Sequence, residues 1–195
     1  LWRSAQVNHE ERKKHYREKL EMIRQKAGHT ESHIMVTPIE LSQNDLAQYF
    51  TNFRLMLLHM LLTIPEHQSD LPALANVLGV SRNTLNEDLD TLAEMNLIKF
   101  KDSKWSVVRS SLHLPKSSSL IRAYRVMMRL KALEQMDRLG KEAYYSFSVL
   151  FSSEPHIRDE IQKNFLSFLK QSQALSAKGK AQSIYQMNFD LLPWS

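Results

Sequence analysis

Apolar and polar positions alternate along this chain in two rhythms, one helical and one extended. From Asn44, the residues Leu46, Phe50, Phe53, Leu57, Met60, Leu61 and Ile64 recur every three or four positions, which predicts a helix with a wide buried face that Pro65 ends. A second helical run is capped by Asp70 and carries Leu71, Leu74, Ala75 and Leu78. Gly79 then supplies the left-handed residue that closes a helix, and Ser81 caps a third run with Leu85, Leu89 and Leu92 facing inward. Leu97-Ile98-Lys99-Phe100, the polar Lys101-Asp102-Ser103-Lys104 and Trp105-Ser106-Val107-Val108 predict two short strands around a turn. Three helices followed by a hairpin predict a winged helix-turn-helix over residues 37–114.

The flanks read differently. Residues 1–36 predict a charged connecting helix and linker: Asn8 and Glu11 form a capping-box-like start, and Tyr16, Leu20, Ile23 and Ala27 make one narrow apolar stripe before Gly28. Residues 115–195 open with a polar joint and a long helix that places Leu120, Ile121, Tyr124, Met127 and Met128 on one side. Arg122, Arg125 and Arg129 lie on the other. Tyr144 to Phe151 alternates with strand period, residues from Glu154 to about Ala177 are helical, and Tyr185, Met187, Phe189 and Leu191 alternate again. A helix of that length between two strands fits a parallel crossover, so a small α/β domain, a compact helix-strand-helix-strand unit, is expected here. The expected fold class is therefore mainly α with a small α/β part.

Composition narrows the chemistry. Hydrophobic residues make up 43% and charged residues 24% of 195, ordinary values for a globular chain, and 4 Gly with 6 Pro favour helix. With no Cys, disulfides, thiolate nucleophiles and cysteine-based metal sites are excluded. The longest apolar stretch, Leu55 to Ile64, is interrupted by His59 and falls far short of the roughly 20 residues of a membrane span. No signal peptide is recognisable, and a cytoplasmic location and no membrane partner are expected. The chain opens Leu1-Trp2-Arg3 without an initiator Met, which reads as a piece of a longer product.

Charge then qualifies the DNA-binding expectation that a winged helix raises. The net charge is +5, but it is unevenly spread: residues 1–36 hold eight cations against five carboxylates, residues 37–114 six against nine, and residues 115–195 twelve against seven. The expected reader is thus the acidic part. With Leu85, Leu89 and Leu92 inward, Asn83, Glu87, Asp90 and Glu94 run along the opposite ridge, where phosphates would repel the carboxylates. The candidate DNA-contacting residues that remain are Ser81, Arg82, Asn83 and Thr84 at the helix start and Lys99, Lys101 and Lys104 of the wing. Arg122, Arg125 and Arg129 form a candidate interaction or anion patch, with a solvated helix face as the plainer reading. His29 and His33 have a four-residue spacing, but no third ligand accompanies them, and His59 reads as a partly buried core residue. No catalytic, cofactor or metal motif is present in the sequence, so a non-enzymatic role without cofactors is expected.

The residues Ile184-Tyr185-Gln186-Met187-Asn188-Phe189-Asp190-Leu191-Leu192-Pro193-Trp194-Ser195 resemble the ending of a large bacterial family known as domain of unknown function 4423. Leu78-Gly79-Val80-Ser81, Asn96-Leu97-Ile98 through Trp105, and Ile121-Arg122-Ala123-Tyr124 ahead of Met127-Met128 are similar to that family's other marks in order and spacing. The resemblance implies a C-terminal part of a longer transcription-regulator-like protein whose upstream helix-turn-helix reads DNA; Arg125 stands where many relatives are expected to have His. The chain is accordingly expected to serve as the regulatory and self-association portion of a DNA-binding transcriptional regulator. Double-stranded DNA would then be a partner of the full-length protein, and a second copy or another protein a partner of this part. The alternative is a protein-interaction adaptor that never touches DNA, with a zinc hydrolase as a distant third.

Overall fold

The computed structural model describes residues 41–110, 112–115 and 117–194. The connecting helix expected at residues 8–27, its linker, and the His29/His33 pair lie outside the described residues. Within them the chain is mainly helical, with one two-stranded antiparallel sheet.

Four helices and a hairpin share one core. Helix α1 (Gln43–Phe50) starts at a reciprocal capping box in which Asp45 N–H donates to Ser42 Oγ and Asp45 accepts from the Ser42 backbone. The single helix expected up to Ile64 is divided at Thr51–Asn52, where Asn52 turns extended and its side chain accepts from the Arg54 and Leu55 N–H groups. Asn52 is a competent cap inside an otherwise helical period, and its local hydrogen bonds outcompete continuation of the helix. Helix α2 (Phe53–Leu61) follows and buries Leu55, Leu58 and Leu61 completely or nearly so. After a short 3-10 turn (Pro65–His67), helix α3 (Leu71–Leu78) begins on Asp70, whose carboxylate accepts from Ala73 N–H.

Gly79 has φ +66° and ends α3, with Val80 N–H reaching back to Ala75 C=O. Ser81 then accepts from Thr84 N–H and starts helix α4 (Arg82–Glu94). Leu85, Leu89 and Leu92 of α4 are buried, as their spacing requires. Asn96, also left-handed, closes α4 in the same way, through Leu97 N–H to Leu92 C=O.

Strands β1 (Ile98–Lys101) and β2 (Lys104–Val107) pair with Ile98 opposite Val107 and Lys101 opposite Lys104. The two-residue turn between them puts Asp102 and Ser103 at positive φ, the mirror-image geometry that matches strand twist. Trp105 N–H donates to Gln68 C=O across 2.8 Å, which ties the hairpin to the loop ahead of α3.

Helix α5 (Ile121–Arg138) docks by its first turn: Leu120, Ile121 and Tyr124 pack against the core, and the Tyr124 ring meets Phe50 edge-on at 5.3 Å. A 3-10 turn (Lys141–Ala143) and helix α6 (Pro155–Ser176) complete the elements.

The expected α/β unit is corrected here. Neither Tyr144–Phe151 nor Tyr185–Leu191 forms a strand, and no crossover sheet exists among the described residues. Alternation specifies which side chains share a face, but a strand also needs a neighbouring edge to bond with, and within one copy neither segment finds one. The C-terminal segment lies beside the helices instead: Phe189 stacks on Phe165 of α6, and Gln186 donates to the Met128 carbonyl of α5.

Candidate functional site

The residues singled out around the α3–α4 turn and the hairpin group into two chemically distinct surfaces. At the start of α4, the Ser81 hydroxyl is occupied by the Thr84 N–H and also meets the Thr84 hydroxyl at 3.0 Å. These two residues therefore hold the helix start in place, while Arg82 and Asn83 are exposed on its first turn. On the hairpin, Lys99, Lys101 and Lys104 are exposed, and their register puts all three on one face together with Ser106. Phe100 and Trp105 occupy the opposite face, their rings 5.1 Å apart. Lys101 and Lys104 are direct cross-strand partners, so like charges oppose each other and an anion placed between them relieves the repulsion.

The second surface is the outer face of α4, where Glu87, Asp90 and Glu94 are all exposed. A fourth carboxylate of this helix escaped the sequence reading. Asp88 is buried and accepts from Arg54 through two bonds, Nε at 2.5 Å and Nη2 at 3.1 Å, which bolts α2 to α4. This bond holds the Arg54 guanidinium even further above its ordinary value, against the opposing effect of burial. Only its neighbourhood to Leu85, Leu89 and Leu92 on the helical wheel marked Asp88 as inward, and its partner lies 34 positions away.

The Arg122, Arg125 and Arg129 ridge is divided. Arg122 and Arg125 are exposed, but Arg129 forms a two-bond ion pair with Asp190 and also donates to the Arg125 carbonyl. The guanidinium thus anchors the C-terminal segment to α5.

His59 is fully buried, beyond the partial burial expected of it. Burial holds its imidazole below the usual range, and the Arg109 backbone offsets only part of that. Burial, with Tyr124 nearby, pushes the Tyr49 phenol well above its ordinary value, and its oxygen is hydrogen-bonded to His59 Nδ1 at 2.8 Å. Unfolded histidine titrates near 6.5, and the folded imidazole resists protonation, so acid favours the unfolded chain. Stability from this group is complete above about pH 6.5 and is lost as pH falls below it, by up to about 1.4 kcal/mol per pH unit. Urea unfolding at pH 7 and pH 5 measures this, and His59→Gln, which cannot titrate, flattens the dependence. An equally acid-sensitive variant would assign the effect to another group.

Among the described residues there is no group of three or more His, Asp or Glu placed to hold a metal ion, and no helix is long and apolar enough to cross a membrane. The family model described as domain of unknown function (DUF4423) matches residues 36–194, and the chain belongs to that family. No curated protein and no solved structure matches it.

Proposed function

We propose that this member of the DUF4423 family is the regulatory and self-association portion of a DNA-binding transcriptional regulator, with residues 37–114 acting as a winged helix whose wing adds phosphate contacts. The reading is supported by the order of α3, a left-handed turn, α4 and a hairpin with three lysines on one face. One observation carries the assignment of a supporting role: the exposed ridge of α4 is acidic, through Glu87, Asp90 and Glu94. A reading helix brings that ridge among phosphates and base edges, and three carboxylates there are repelled more strongly than a single contact to cytosine can offset. Base readout therefore belongs to a different DNA-binding unit, and this one contributes Arg82 and the wing lysines without sequence preference. The same acidic ridge favours a second reading, an adaptor that docks a basic protein partner and leaves DNA alone.

Titration with a duplex at two salt concentrations separates the two. Three or four phosphate contacts predict weak binding whose logarithm falls with the logarithm of salt at a slope of about −3 to −4. Replacing Lys99, Lys101 and Lys104 by Ala removes most of that slope. No binding at low salt leaves the adaptor, and tight sequence-selective binding by this chain overturns the supporting role.

A further inference from the structure

No described residue beyond Leu114 is buried, although two helices of 18 and 22 residues and two strand-period segments lie there. Ordering a residue costs about 1–2 kcal/mol, and helices of this kind draw their stability from packing, of which this part of the chain obtains little within one copy. Tyr145, Phe147, Tyr185 and Trp194 are 89%, 70%, 89% and 86% exposed. At roughly 150–250 Å² per aromatic side chain, Tyr145 and Phe147 together with the 54%-exposed Phe151 leave on the order of 400 Å² in water, about half of the roughly 800 Å² that each partner covers in a standard protein interface.

The chemistry of one segment selects the occupant. Between Glu142 and Glu154 the chain reads Ala-Tyr-Tyr-Ser-Phe-Ser-Val-Leu-Phe-Ser-Ser, with no charge and no proline. Tyr144 is already extended, and no backbone hydrogen bond joins Tyr144–Ser153 to another described residue. Monomeric proteins block such edges with lysine, proline or a bulge, and none of these is present. We infer that the Tyr144–Ser153 segment pairs antiparallel with the same segment of a second copy of this chain, about a two-fold axis near Ser148.

In that register Tyr145 faces Phe151, Phe147 faces Val149, Ser146 faces Leu150 and Ser148 faces its own copy, so one face of the pair is wholly aromatic and β-branched and no charge is brought into the pairing. The inference deepens the self-association half of the proposed function and is independent of whether the chain touches DNA.

The absence of cysteine makes a direct test available. In Ser148→Cys the two introduced sulfurs sit on the axis, with Cα atoms about 4.5–5.5 Å apart and within disulfide range, whereas in Ser146→Cys the equivalent atoms are about 14 Å apart. Mild oxidation is expected to convert S148C, and not S146C, to a covalent dimer. Sedimentation of the unmodified chain across the micromolar range is expected to give twice the monomer mass, and Phe147→Lys to weaken association by about tenfold or more with helix content retained by circular dichroism. A monomer at all concentrations, an open series of larger species, or a dimer in which S148C fails to cross-link or S146C cross-links equally well each overturns the inference. None of these readouts involves DNA, so a failed DNA titration and a failed pairing remain distinguishable.

Discussion

Reversing the acidic ridge with Glu87→Lys, Asp90→Lys and Glu94→Lys is expected to raise affinity for duplex DNA by about two orders of magnitude and to steepen the salt slope by about three. All three side chains are exposed on one face of α4, so the substitutions leave Leu85, Leu89 and Leu92 in the core and the Asp88–Arg54 bond intact. Each new lysine replaces a repulsion with an attraction, and three phosphate contacts release three condensed counterions. Fluorescence anisotropy of a labelled duplex at several salt concentrations reads both quantities. Unchanged affinity would mean that this face never approaches the duplex and that the ridge is not what limits binding. The gain should not depend on DNA sequence, because lysines added along a phosphate track bring charge without the bidentate geometry of base recognition.

Leu92→Ala is expected to cost about 3–4 kcal/mol, since its side chain is fully buried in the core cluster and truncation leaves a cavity that the neighbours fill only in part. A small domain holds only about 5–15 kcal/mol in all, so one substitution removes a large share of it. Chemical denaturation followed by tryptophan fluorescence suits the measurement, because Trp105 packs on the same core. A loss under about 1 kcal/mol would contradict the burial of α4 against α2 and α3. A loss of the expected size with α6 helicity preserved would show that the two parts of the chain unfold separately.

What could be read from the residues alone divides along the range of the interactions involved. Asp70, Gly79, Ser81 and the Lys101–Lys104 turn act on neighbours within five positions, and each occupies its expected conformation. The break at Asn52 is equally local but was hidden by apolar residues on either side that keep helical period across it. Long-range pairs left no trace: Arg54 with Asp88 and Arg129 with Asp190 are separated by 34 and 61 positions. The two alternating segments mark the opposite failure, since period two describes a side-chain pattern and is silent on where the backbone finds its partner edge. At the candidate interface, exposure of the wing lysines and the acidic ridge followed from the wheel and the hairpin register, whereas Arg129 looked available and is held by the C-terminal segment.

The edge-on contact of Tyr124 with Phe50 has a mechanical consequence. It ties the first turn of α5 to the core, while the rest of this 18-residue helix, about 27 Å long in all, buries no residue. The same rings continue inward from Tyr124 to Phe50, Tyr49 and His59, so the start of α5 is joined by an unbroken run of aromatic contacts to the buried imidazole.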